Sequence, residues 1–277
     1  MAALDEPAGG TTSEDADATS RFDAGAAHIA RVYNYWLGGK DHFAADRAAG
    51  DATIGVYPGI RTSAQANRAF LARAVRHLAE AEGVRQFLDI GTGLPTANNT
   101  HEVAQAAAPA SRVVYVDNDP LVLAHARALL TSSPEGATAY LDADLRETGK
   151  IIEQAEAVLD FSQPVAIMLI AILHYIPDLG EARDIVARLL AAVPPGSFLT
   201  VSHAGSDLSP HEIAAFEKNL NEYLPGDSHV ARPRADVALF FEGTTLLPPG
   251  VVRVSEWRPA AAEAAAHTTL WGGVGRK

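Results

Sequence analysis

Three acidic residues lie at or near the ends of apolar runs: Asp89 in Phe87-Leu88-Asp89-Ile90, Asp117 after Val113-Val114-Tyr115-Val116, and Asp144 just past Tyr140-Leu141. The first run leads directly into Gly91-Thr92-Gly93. Glycines allow a sharp turn and let a ligand approach the backbone with no Cβ in the way. A strand, a Gly-x-Gly turn, a helix and a second strand ending in an acid form the skeleton of a nucleoside site at the carboxyl edge of a parallel sheet. Asp117 is then the expected acceptor for two ribose hydroxyls, with Asn118 beside it. Asp144 is placed to accept from an adenine amino group, with Leu145 against the ring face.

The electrostatics of these acids discriminate between ligands. A pyrophosphate is repelled by carboxylates and needs exposed backbone N–H groups from a glycine-rich turn at a helix start. Here the run is Gly91-Thr92-Gly93-Leu94-Pro95, so the third glycine is missing and Pro95 supplies no N–H. S-Adenosylmethionine has no phosphate and carries an ammonium and a sulfonium, which a carboxylate such as Asp89 attracts. The set therefore favours a methyl donor over a dinucleotide.

For the methyl acceptor, the candidates are His174, after the apolar run Val165 to Leu173, and His203, after the run Ser197 to Ser202. A neutral imidazole at a strand's carboxyl end can take a proton from an oxygen or nitrogen. Either ring can equally serve as packing, and methyl transfer can run on alignment alone. The ten histidines show no metal-ligand spacing and there is no cysteine, so no metal is expected.

These residues require a parallel sheet. Strands are expected at Arg85–Ile90, Arg112–Asp117, Thr138–Asp142, Val165–Leu173 and Ser197–Ser202, with helices between them, among them Thr96–Ala107 and one beginning at Pro120 with Asp119 as its cap. Alternation of this kind demands right-handed crossovers. A helix is expected over Pro210–Tyr223, followed by two closing strands, Thr244–Trp257, broken near Leu247-Pro248-Pro249-Gly250, and Thr268–Gly273. Their close connection implies an antiparallel edge. Residues 21–83 read as a helical cap, with Ser63 as the N-cap of a helix bearing Phe70, Leu71, Val75 and Leu78. Residues 84–277 read as the sheet-bearing core.

The net charge of −12 is misleading as a guide to partners. Asp5, Glu6, Glu14, Asp15 and Asp17 sit in the first twenty residues with no basic residue, and residues 1–20 read as a disordered tail. The remainder lacks the basic stripe of a nucleic-acid-binding surface. No apolar run is long enough to span a bilayer, and the reading is of a cytoplasmic protein with a small-molecule partner, no nucleic acid and no membrane.

The segments Ala30–Arg47, Gln86–Thr96 and Val114–Pro120, with Asp142-Ala143-Asp144-Leu145-Arg146 and Ile172-Leu173-His174-Tyr175-Ile176, resemble those of an actinobacterial S-adenosylmethionine-dependent methyltransferase family long catalogued as a domain of unknown function. The resemblance covers nearly everything after about Arg21. It implies a Rossmann-like class I methyltransferase: an α/β fold with a mostly parallel seven-stranded sheet, an antiparallel last strand and an N-terminal helical cap. It also implies S-adenosyl-L-methionine as cofactor and S-adenosyl-L-homocysteine as product. It supplies no acceptor and no oligomeric state.

Gly38-Gly39-Lys40-Asp41 follows a helix bearing Val32, Tyr33, Trp36 and Leu37. Paired glycines end a helix and provide a hinge. Tyr33, Asn34, Lys40 and Asp41 are accordingly candidates for a lid that excludes water from a charge-dispersing reaction. Two other classes stay open at this level, a sensor that binds adenosylmethionine without turnover and a nicotinamide-dependent oxidoreductase.

Overall fold

The computed structural model describes residues 23–129, 131–224, 226, 228–259 and 266–277. The tail read over residues 1–20 lies outside them. Three helices come first, α1 (Ile29–Trp36), α2 (Ala44–Val56) and α3 (Ile60–Glu80). Alternation then begins: β1 (Gln86–Ile90), α4 (Thr100–Ala107), β2 (Arg112–Asp117), α5 (Pro120–Leu129), β3 (Ala137–Asp142), α6 (Thr148–Ala155) and β4 (Ala166–Ile170). A 3-10 turn, Leu173–Tyr175, leads to α7 (Leu179–Ala192) and β5 (Phe198–Ala204). The chain ends with α8 (Pro210–Tyr223), α9 (Arg234–Leu239), β6 (Thr245–Leu246), β7 (Val252–Arg253) and β8 (Leu270–Arg276).

The sheet order is β3-β2-β1-β4-β5-β8-β6, with β7 also paired to β8. Strands β1 to β5 run parallel, and β8 is antiparallel to β5, from Phe198 opposite Arg276 to Ala204 opposite Leu270. The fold is thus the expected mixed α/β sheet. The expected strand Thr244–Trp257 is instead two dipeptides, β6 and β7, so eight strands are present among the described residues.

Order reverses at β1, which has β2 on one side and β4 on the other, and this switch point opens a crevice at the strands' carboxyl ends. On one face Phe70, Leu71, Val75 and Leu78 of α3 pack with Phe87 and Trp257. On the other, Ile151, Ile185, Val186 and Leu189 of α6 and α7 pack with Leu88, Val114 and Ile167. A third cluster joins Val32, Trp36, Ala49, Tyr57 and Ile60 to Phe216 and Leu220 of α8. The N-terminal helices and α8 therefore bury their apolar faces against each other.

Several boundaries move, each for a physical reason. Helix α3 begins at Ile60, so Ser63 lies inside it and is buried, sharing hydrogen bonds with Tyr57 (2.7 Å) and Thr269 (3.5 Å) instead of capping. Helix α4 begins at Thr100, where Glu102 reaches back to accept from the Asn99 N–H (2.8 Å). Strand β4 stops at Ile170 because Ala171 turns the chain with φ +55°. Strand β5 continues to Ala204, which puts His203 inside the strand.

Candidate active site

The glycine turn is fastened to the end of β2. Gly91 N–H donates to the Val116 carbonyl (2.8 Å) and Gly93 N–H to Asp117 Oδ2 (2.8 Å). Both glycines have positive φ, +75° and +64°. They differ in their surroundings: a Cβ at Gly91 would lie 2.6 Å from the Ile172 side chain, whereas one at Gly93 meets nothing within 4 Å. Gly91→Ala is therefore expected to cost about 2–4 kcal/mol, from left-handed strain plus overpacking. Gly93→Asn should be nearly silent, since asparagine tolerates this region. Thermal melting of the two variants tests this; equal losses would contradict it.

Asp117 is buried, and its other oxygen accepts from Asp119 N–H (3.0 Å). Burial raises its pKa, opposed by those two backbone donors and by His28. Asp119 accepts from Leu121 N–H (2.9 Å) and so caps α5 as expected. Its second oxygen stands 3.0 Å from His28 Nδ1 and 3.6 Å from Arg31 Nε, fastening the start of α1 to the end of β2. Burial pushes the Asp119 carboxyl up, yet the hydrogen bond and charge of His28 and the charge of Arg31 outweigh it and leave the pKa below its usual value.

Asp89 is buried and accepts from the Thr100 hydroxyl (2.6 Å). Burial is the main cause that raises its carboxyl to about 6, with Asp117 adding and Thr100 and Arg68 opposing. Asp144 is more exposed, accepts from Arg146 N–H (2.8 Å), and lies 3.5 Å from Asn118 Nδ2.

One cavity spans this edge, about 1520 Å³ with its open mouth included. Asp89, Gly91, Gly93, Asp117, Asn118, Asp144 and Leu145 all line it, as do Tyr33 and His174. Three atoms of its lining residues are buried with no hydrogen-bond partner, Asn67 Oδ1 and Arg68 Nε from α3 and His174 Nδ1 from the turn after β4.

Asn34, Lys40 and Asp41 are not lining residues. Gly38 and Gly39 close α1 as a Schellman motif, Gly38 N–H to the Tyr35 carbonyl (3.0 Å) and Gly39 N–H to the Asn34 carbonyl (2.9 Å). Asn34 Oδ1 accepts from Asp41 N–H (3.1 Å), and Asp41 stands 3.5 Å from His125 Nε2 on α5. Of the lid candidates, only Tyr33 reaches the cavity; its hydroxyl donates to the Ala64 carbonyl (3.2 Å) and accepts from Asn67 (3.0 Å).

The histidines separate as well. His203 does not line the cavity, which corrects its expected position: its Nδ1 lies 2.8 Å from the Ala204 carbonyl and its Nε2 lies 2.9 Å from Arg232 Nη1. Burial, joined by the Arg232 charge, drives its pKa to about 3. His174 does line the cavity, but burial first, and then His229, His203 and Arg232, hold its pKa well below the usual value. A ring so placed is a neutral hydrogen-bonding group and a poor store for a proton. The sequence reading missed Asn67, Arg68, Trp36, Tyr57, Phe216 and His229 on the cavity wall. Only the helical spacing of the apolar members hinted at them, and that spacing reads equally as core.

The chain's relatives carry the same architecture. A DUF574 family protein from Streptomyces avermitilis is 43% identical over 92% of this chain and 99% of its own, with a TM-score of 0.89. A Thermobifida fusca protein, provisionally assigned as a methyltransferase, is 40% identical over 91% of this chain and 95% of its own, with a TM-score of 0.83. An O-methyltransferase family protein from Burkholderia thailandensis shares the fold at 16% identity, over 78% of this chain and 59% of its own, with a TM-score of 0.51. No curated protein matches the chain. The family model described as S-adenosyl methyltransferase matches residues 15–277, nearly the whole length, and the chain belongs to that family of S-adenosylmethionine-dependent methyltransferases.

Proposed function

We propose that the chain transfers the methyl group of S-adenosylmethionine to an oxygen or nitrogen of a small molecule. In this reading Asp117 holds the ribose hydroxyls, with Asn118 beside it, and Asp144 and Leu145 take the adenine. Gly91 and Gly93 admit the amino-acid end, whose ammonium lies towards Asp89 and whose carboxylate satisfies Arg68 Nε. When bound, the cofactor supplies a methyl group activated by a sulfonium. The chain's own work is to orient it, to exclude water beneath Tyr33 and α1, and to present the acceptor in line.

The observation that carries the reading is convergence: seven residues from the ends of three strands line one cavity. The same cavity runs on past the strand ends to Tyr33, Trp36 and Phe216 of the N-terminal helices and α8.

Isothermal titration tests it. Adenosylmethionine and adenosylhomocysteine should bind, and nicotinamide dinucleotides should not. Turnover to adenosylhomocysteine with an acceptor separates an enzyme from a sensor. The pH dependence carries a further signature. Asp89 titrates from 3.8 unfolded to about 6 folded, so between these values the native state retains a proton that the unfolded state has released. Apo stability therefore falls as pH rises through that window. An ammonium beside Asp89 favours its carboxylate, so cofactor affinity should rise with pH up to about 6 and then level off. Titrations below pH 6 should report proton release, which Asp89→Asn should abolish. Affinity flat from pH 5 to 7.5 would detach Asp89 from the cofactor.

A further inference from the structure

The part of the cavity beyond the glycine turn is walled by rings. Phe216 of α8 meets Trp36 at 5.8 Å, Tyr57 at 6.1 Å and His229 at 5.3 Å between centroids, the last two nearly perpendicular. His174 lies 4.4 Å from His229, with Tyr175 at 5.6 Å. His229 is buried, and its backbone is clamped by Asn221 of α8, which accepts from its N–H (2.8 Å) and donates to its carbonyl (3.1 Å). Its Nδ1 stands 3.3 Å from Glu217 Oε1, and the same oxygen accepts from Ala231 N–H. Among the described residues, His229 Nε2 makes no hydrogen bond, and the ring lines the cavity. His174 Nδ1 is likewise buried without a partner. A carboxylate behind Nδ1 fixes the tautomer that leaves the Nε2 lone pair towards the cavity and stabilises the imidazolium that forms when Nε2 takes a proton.

We propose that this chamber binds a flat aromatic acceptor bearing a phenolic hydroxyl, with His229, oriented by Glu217, as the base that takes the hydroxyl proton. The proposal rests on the methyltransferase reading above. Aromatic walls favour a flat ring, by stacked or edge-to-face contacts. A phenol titrates near 10 and an imidazole near 6.5, a gap that allows transfer as the new bond forms; an aliphatic alcohol is too weak an acid for this base. In the step, the phenol O–H bond breaks and its proton passes to His229 Nε2. The oxygen pair forms the bond to the methyl carbon, and the carbon–sulfur pair stays on sulfur as a neutral thioether. The imidazolium then gives its Nε2 proton to water entering the open cavity as the ether leaves, which restores the tautomer with Nδ1–H towards Glu217. His174 is a positioning residue, a neutral partner for the acceptor oxygen or a second polar group.

The probes are 2-naphthol, naphthalene and 2-naphthylamine, used with the full-length protein saturated with adenosylhomocysteine for binding and supplied with adenosylmethionine for turnover. 2-Naphthol should bind and be methylated on oxygen, and naphthalene should bind more weakly. His229→Gln should bind adenosylhomocysteine normally yet lose about 10²–10⁴-fold in turnover. Glu217→Gln should lower kcat with little change in the KM for 2-naphthol or in adenosylhomocysteine affinity, because the carboxylate that orients the ring is lost while the chamber walls stay in place. On the parent protein, nitrogen NMR should find Nδ1 protonated, with the Nε2 resonance shifting when 2-naphthol is added; this readout does not depend on any variant folding. Normal adenosylhomocysteine binding with no 2-naphthol binding or methylation, methylation of 2-naphthylamine alone, an unmoved Nε2 resonance, or full turnover by His229→Gln would each overturn the proposal and leave the methyltransferase reading standing. Absence of adenosylhomocysteine binding would remove both.

Discussion

Replacing Asp117 by alanine should weaken adenosylmethionine binding by about 1.5–3 kcal/mol, roughly tenfold to a hundredfold, the range for a charge-assisted hydrogen bond at a buried site. Each Asp117 oxygen already accepts one backbone N–H, from Gly93 and from Asp119, and each retains a lone pair for a ribose hydroxyl. The substitution therefore also loosens the glycine turn, and a thermal melt must accompany the titration. Affinity should fall further than stability explains, and a 2′,3′-dideoxy analogue of adenosylhomocysteine should show little difference between parent and variant. A folded variant with parental affinity would end the ribose assignment.

The largest stability effect is expected at Arg232, away from the cofactor. Its guanidinium is buried, with Nη1 donating to the Leu173 carbonyl (3.1 Å) and lying 2.9 Å from His203 Nε2. Nη2 donates to the carbonyls of Ile176 (2.6 Å) and Pro177 (3.0 Å). One planar fork thus ties the turn that carries His174 to β5. Burial lowers its pKa, opposed by the charges of Asp236 and Asp178. Arg232→Leu leaves buried acceptors unpaired, and the expected cost is about 3–5 kcal/mol, read from chemical denaturation. Lysine should recover little, because a single ammonium cannot replace the fork. A loss below about 1 kcal/mol would mean that the turn is held by packing of Leu173 and Ile176 alone.

The sequence was most legible where one short segment both forms an element and supplies its ligand group. The acids and glycines at the ends of β1 to β3 were readable because each strand end turns and exposes its own residues to the edge. Helix α8 was placed at Pro210–Tyr223 without error, since proline at its first turn and amphipathic spacing agree. Legibility failed where position depends on distant partners. Ser63 has the chemistry of a cap, but Tyr57 and Thr269, far apart in sequence, draw its hydroxyl inside. His203 was displaced by only two residues of extra strand, enough to bury the ring against Arg232. Glu217 and His229 meet only because the chain after α8 folds back along it, which no periodicity encodes. Asn34, Asp41 and the paired glycines read as a lid and its hinge, and the contacts they make finish α1 and, through Asp41 and His125, attach it to α5.

A structure of the protein with adenosylhomocysteine tests the central claim most directly. Ribose hydroxyls are expected on Asp117, adenine beside Asp144 and Leu145, the amino-acid end over Gly91–Gly93 between Asp89 and Arg68, and sulfur facing the chamber of Trp36, Tyr57, Phe216 and His229. Adenosylhomocysteine bound outside this cavity, or lying in it with its sulfur turned away from those rings, would contradict it.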